Sequence, residues 1–272
     1  MAPAERIVAR IMGCGSSGGV PRIGNHWGAC DPANPRNRRS RCALLVTGTR
    51  PGSEGATRVV IDTGCDLREQ LLAADVGELD AVLYTHAHAD HTHGIDDLRV
   101  LALNARRRVD VYADAVTQAR LHQSFDYCFA APPGSPYPPI LTAKRLDPGH
   151  EITVEGDGGT LTFTPFIQEH GNIASMGFRI GNFAYSCDLS GIPEESEPAV
   201  SGLDTWVLDA LRYTPHPSHL SLEQSLALIE KHKPARAVLT NLHVDLDYDV
   251  LAGETPAHVT PAHDGLEIVI AA

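Results

Sequence analysis

The stretch YTHAHADHTHG, from Tyr84 to Gly94, sets four histidines and one aspartate within the eight residues His86 to His93. Imidazole and carboxylate are first-choice ligands for borderline divalent metals such as zinc, manganese and iron. The stretch follows the apolar run AVLYT (81–85), which reads as a strand. Period-2 geometry at a strand end sends His86 and His88 to one side, and Asp90 and His91 follow on the turn. So many polar groups are costly to bury without partners. A bound cation is therefore the expected occupant, with a solvated histidine-rich loop as the bland alternative. His93 lies outside the H-x-H-x-D-H spacing and is not expected to be a ligand.

Strand-like runs surround this cluster. RIVARIM (6–12), CALLV (42–46), RVVID (58–62) and VDVYA (109–113) are rich in Val and Ile or alternate in polarity. So are TLTFTPF (160–166), MGFRI (176–180), NFAYSC (182–187), TWVLDA (205–210), ARAVLT (235–240) and LEIVIA (266–271). Helical spacing appears at 66–75, 96–104, 113–123 and 221–232, the last with a capping-box pair, Ser221 and Gln224. Two strand groups, each with helices attached, predict an α+β protein with two sheets face to face and helices outside. The Pro-rich segment 131–139 is expected to be a loop, either a lid or an edge excursion.

Composition narrows the function. A formal net charge of -12 argues against a general nucleic-acid binder, while leaving room for a small phosphate ester in a locally positive pocket. The six cysteines, Cys14, Cys30, Cys42, Cys65, Cys128 and Cys187, are scattered without a C-x-x-C pair, which fits reduced thiols. Glu5, Arg6 and Arg10 interrupt any secretory apolar run near the start. No stretch approaches the roughly 20 apolar residues of a membrane span. The expectation is a cytoplasmic protein with no membrane partner.

The H-x-H-x-D-H run after a hydrophobic strand resembles the signature of the metallo-β-lactamase fold superfamily, and the resemblance extends over nearly the whole chain. It implies an αββα four-layer sandwich, one hydrolase domain over 1–272, with a site for two divalent metal ions, zinc or manganese first. The first metal would take His86, His88 and His170 (in IQEHG). The second would take Asp90, His91 and His243 (in VLTNLHVD), with Asp188 (in AYSCDLSG) bridging both. Asp62 (in VVIDTG) would orient a ligand histidine. Two cations lower the pKa of a shared water toward neutrality.

Three features resemble the superfamily's phosphodiesterase branch, which includes the phosphoribosyl cyclic phosphodiesterase of the carbon–phosphorus lyase pathway and tRNA 3′-processing enzymes. Gly13, Gly15, Gly18 and Gly19 would let a loop bring backbone N–H groups to an anion; an ordinary turn is the alternative. His219, in HPSHLSL (216–222), stands where that branch has a general acid toward the leaving alkoxide, with Asp209 as its orienting partner. His216 does not match that pattern, and a helix-capping surface histidine is the plain alternative for His219. Arg22, Arg36, Arg38, Arg39 and Arg41 offer guanidinium forks for phosphate, or a solvated basic turn. One departure concerns a structural metal site of the cyclic phosphodiesterase. Asn25 and Trp27 stand at cysteine-like positions with only Cys30 left, and HVDLDY (243–248) has no second histidine, so no structural zinc is expected.

The expected function is a metal-dependent hydrolase, most simply a phosphodiesterase for a small cyclic ribose or nucleotide phosphodiester. No large nucleic-acid partner is expected, and a homodimer is left open. The rivals are a thioester or lactone hydrolase at the same site, and a metal-dependent nucleotide-binding protein with little turnover.

Overall fold

The computed structural model describes residues 1–271. Its strands form two seven-stranded sheets. The first runs β14 (Glu267–Ile270), β1 (Arg6–Gly13), β2 (Ala43–Thr49), β3 (Thr57–Ile61), β4 (Ala81–Leu83), β5 (Val109–Ala113) and β6 (Leu141–Arg145) in spatial order. The second runs β13 (Val259–Pro261), β12 (Arg236–Thr240), β11 (Thr205–Asp209), β10 (Phe183–Ser186), β9 (Ile173–Ile180), β8 (Leu161–His170) and β7 (Ile152–Val154).

Alternation along each strand explains the layers. In β2, Leu44 and Val46 face the second sheet, while Ala43 and Leu45 lie under helices. In β3, Val59 and Ile61 face inward and Val60 outward. Both faces are buried, so these strands read as continuous apolar runs rather than alternating ones. Phe163, Phe178, Tyr185, Val207 and Val238 complete the central layer from the second sheet. Helices α1 (Leu67–Ala73), α3 (Leu98–Ala105) and α4 (Ala115–Phe129) cover the outer face of the first sheet, and α5 (Leu222–His232) and α6 (Tyr248–Glu254) that of the second. This is the expected αββα sandwich.

Strands β6, β7 and β13 and helix α6 are additions to the sequence reading. Two of those strands are three residues long, and LTAKR in β6 ends in exposed polar side chains at a sheet edge. Helix α6 is capped by Asp247, whose carboxylate accepts from the N–H groups of Asp249 and Val250. The capping box at Ser221 and Gln224 is present as expected. The Pro-rich segment links α4 to edge strand β6.

Candidate metal centre

The site gathers at one end of the sandwich, where strands of both sheets stop. Strand β4 ends at Leu83, two residues before the run expected, so the histidines leave from a loop and not from a strand end. His88 caps a one-turn helix, α2 (Ala89–Thr92), which carries Asp90 and His91. Three non-glycine residues at strand ends adopt left-handed backbone: Asp62 after β3 (φ 66), Asp188 after β10 (φ 55) and Asn241 after β12 (φ 61). Asp and Asn tolerate this region better than other side chains, and such strain collects at functional sites.

Tautomers follow from the partners. Nδ1–H of His170 donates to the Ser218 carbonyl at 2.7 Å, and Nδ1–H of His91 to Asp62 Oδ2 at 2.7 Å. The Thr85 hydroxyl donates to Asp62 Oδ2 at 2.7 Å, so it accepts from His86 Nδ1–H at 3.0 Å. The Nε2 atoms of all three rings are thereby turned inward. They face His88 Nδ1, 2.9 Å from His86 Nε2 and 3.4 Å from His170 Nε2. Asp188 Oδ2 completes the group, 3.2 Å from His91, 3.7 Å from His86 and 3.8 Å from His170. The converging nitrogens of His86, His88 and His170 and the Asp188 carboxylate need a cation or protons among them, and a divalent ion satisfies them together.

His86, His88, His170 and Asp188 form one group whose donor atoms lie within 4.8 Å of one another; His91, Cys187 and Asp188 form a second. Cys187 was read in the sequence only as a reduced thiol. Burial pushes its pKa well up, so it stays protonated and donates to Asp188 Oδ1 at 3.0 Å. Asp90 and His243 line the same cleft, with Asp90 Oδ2 3.6 Å from His91 Nε2. His243 Nε2 meets the Arg22 guanidinium, and its Nδ1 lies 3.0 Å from Asp245.

Electrostatics divide the rings. Burial holds His86 well below the usual histidine pKa and lowers His170 and His243 as well. Burial opposes charge on His91 too, but Asp188 and Asp62 win and raise it. Burial works against ionised Asp188, yet His91 and His86 hold its carboxyl well below the usual range. Asp62, with burial dominant, is raised.

The cleft beside this cluster is a polar cavity of 370 Å³ that also admits Arg22, Arg212, His216 and His219. His219 Nδ1 lies 3.0 Å from Asp209 Oδ2, which also accepts from the Leu189 N–H. Burial pushes Asp209 up to about 6. The His219 ring stands 4.8 Å from that of His170, centroid to centroid, and 5.0 Å from that of His216. Asn241 donates to Asp188 Oδ1 at 3.0 Å and packs against His219 Nδ1, tying the two halves together.

Among the expected arginines, only Arg22 lines this cleft. Arg39 is buried and donates to the carbonyls of Leu246 and His243. Arg41 pairs with Asp66, and Arg36 and Arg38 lie over Tyr248 and Trp27. The glycine loop is also largely internal: N–H groups of Gly15 and Gly19 donate to the carbonyls of Ser40 and Ser16, and a Cβ on Gly13 would meet the Arg41 carbonyl at 2.0 Å. Those three glycines serve close chain packing rather than an anion nest. His93 lies outside the cluster, its ring against Phe125. Cys30 is buried, its thiol donating to the Val244 carbonyl. Asn241, Ser218, Thr85 and Arg212 were not singled out in the sequence.

A family model described as a beta-lactamase superfamily domain matches residues 57–241. The chain belongs to the metallo-β-lactamase superfamily. The fold of that superfamily implies divalent metal binding, and the clustered His and Asp side chains fit it. A solved structure described as a new diphosphatase from the PhnP family is 34% identical, with a TM-score of 0.86 over 97% of both chains. The octanoyltransferase of Porphyromonas gingivalis (strain ATCC BAA-308 / W83) is 32% identical over 265 residues, 96% of this chain and 51% of that protein. Ribonuclease Z of Bradyrhizobium sp. (strain ORS 278) is 30% identical over 146 residues, 53% of this chain and 45% of that protein. The chain thus spans about half the length of the curated relatives it matches. Among the described residues, no helix is long and apolar enough to cross a membrane.

Proposed function

We propose that the protein is a dinuclear metal phosphodiesterase acting on a small cyclic ribose or nucleotide phosphodiester. One observation carries this reading: a proton donor, His219, held by buried Asp209 in the same cleft as the metal-ligating cluster. An alkoxide leaving phosphorus is a strong base and needs a proton as its bond breaks. A thiolate leaving a thioester has far less need of one, and a protein that only binds nucleotides has none.

His86, His88, His170 and Asp188 would hold one cation; Asp90, His91 and His243 would hold the other, with Asp188 shared. When bound, such a pair polarises phosphoryl oxygens and lowers the pKa of water toward neutrality. The chain's own residues then orient and protonate. Asp62, Thr85 and the Ser218 carbonyl fix the ligand tautomers. Asp209 takes the Nδ1–H of His219 and leaves Nε2–H to face the leaving oxygen. Arg22 and Arg212 add positive charge to a cleft in an otherwise acidic protein, which favours a small anion over a long nucleic acid.

Loaded with zinc or manganese, the protein should hydrolyse bis(p-nitrophenyl) phosphate faster than a nitrophenyl thioester. Preference for the thioester would overturn the reading. A second reading, cleavage of a P–O–P diester, draws support from the 34% identical protein described as a diphosphatase. Its leaving phosphate is a weaker base than an alkoxide, so dependence on His219 separates the two.

A further inference from the structure

A second cavity, of 680 Å³, adjoins the polar cleft at His88, the only lining residue the two share. Its character is different. One wall is α4, with Val116, Arg120 and Phe125; the other is the β8–β9 turn, with Asn172 and Ile173. Val116 is 74% exposed and Ile173 39%, so apolar side chains stand open to solvent beside the metal-ligating cluster. Scattered exposed apolar residues need no explanation, but two that line one cavity reaching the cluster make a recognition surface. Phe125 breaks the helix, with φ -138 and ψ 34 inside α4. Its ring meets the edge of His93 at 5.6 Å between centroids. Helix breaks have local causes, and this one falls where the ring borders the cavity.

We infer that this cavity is a subsite for a planar aromatic or heteroaromatic arm of the substrate. The inference rests on the phosphodiesterase reading and adds the identity of the non-reacting arm. A ring lying between Ile173 and the Phe125–His93 pair would use apolar area and ring edges together. Arg120 and Asn172 give the rim the few polar groups that fix orientation in such pockets. An aliphatic arm would fill the cavity without the ring-edge contacts that Phe125 and His93 offer. His93, which the ligand scheme passes over, thereby gains a role in the pocket wall.

The test compares phenylphosphonate with methylphosphonate, which share the phosphonyl head and differ in the arm. The metal-loaded protein is titrated with each by calorimetry, so the readout is binding rather than turnover. Phenylphosphonate should bind at least about tenfold more tightly. In Ile173→Ser and Val116→Ser, both at exposed positions, the ratio of affinities should fall toward one. Phe125→Ala should do the same if it folds. Equal affinities in the unaltered protein, or a ratio that survives both serine variants, would overturn the subsite and leave the phosphodiesterase reading standing. Failure of both phosphonates to bind would remove that reading and the subsite with it.

Discussion

Replacing His219 with alanine tests the proton donor against the basicity of what leaves. Asp209 has no exposed side-chain surface and His219 only 15%, so bulk water reaches the pair poorly and substitutes badly for it. Burial opposes charge on His219, but the hydrogen bond and charge of Asp209 win and hold its pKa above the usual histidine value. The imidazole therefore holds its proton to higher pH than an ordinary histidine and loses it as pH rises past that raised value. A positioned general acid contributes about 10²–10⁴-fold, or ~3–5 kcal/mol of barrier. With an alkyl diester, His219→Ala should lower kcat by that amount. With a nitrophenyl diester, whose leaving group needs little protonation, the loss should be no more than about tenfold.

Both arms of the experiment use the metal-loaded protein. Nitrophenolate is followed by absorbance and the alkyl monoester by chromatography. Equal losses on the two substrates would refute the proton-donor role and leave His219 as a residue that only shapes the cleft. The pH profile supplies a second check. For the alkyl diester, kcat should fall on the basic side as His219 deprotonates. In Asp209→Asn the group that raises the imidazole is gone and burial dominates, so that limb should move to lower pH. A limb that stays in place would refute the pairing.

Further outcomes follow from the same contacts. Asp188→Ala should abolish turnover and reduce bound metal from two ions toward one, read by elemental analysis; unchanged turnover would remove the shared-ligand assignment. Asp62→Asn keeps a side chain that tolerates left-handed backbone but weakens the hold on His91, so metal affinity should fall about 10–100-fold by titration. Chelation should lower Tm, and at about 100 times the metal's Kd the gain from rebinding is ~2.7 kcal/mol, several degrees in a calorimetric scan. Arg39→Leu should lower Tm through the lost bonds to Leu246 and His243, since each hydrogen bond from a charged donor is worth about 1.5–3 kcal/mol.

The residues alone made the local part of the site legible, and the superfamily resemblance supplied the distant Asp62, His170, Asp188 and His243. His86, His88, Asp90 and His91 lie within six positions, and few structures other than a metal centre use that spacing. Asp209 and His219 were named through the resemblance to the phosphodiesterase branch, helped by their places at a strand end and before a capped helix. Arg39 was not separable from Arg36, Arg38 and Arg41 in sequence, because its partners are carbonyls more than 200 residues away. Ser218 acts through its carbonyl, which its residue type does not reveal. Asn241 meets Asp188 across 53 residues, only because β12 lies beside β11 and β11 beside β10. A usable signal was nevertheless present. VVID, AYSCD and AVLTN each end an apolar run on Asp or Asn, and all three terminal residues take left-handed backbone at the same end of the sandwich. An alanine there removes a contact and adds backbone strain of about 1–2 kcal/mol. Asn241→Asp isolates the contact: it keeps the backbone tolerance but brings a second carboxylate against Asp188. Loss of the amide donor together with the added charge should alter metal affinity and the His219 pH limb together; unaltered affinity and an unmoved limb would refute the contact.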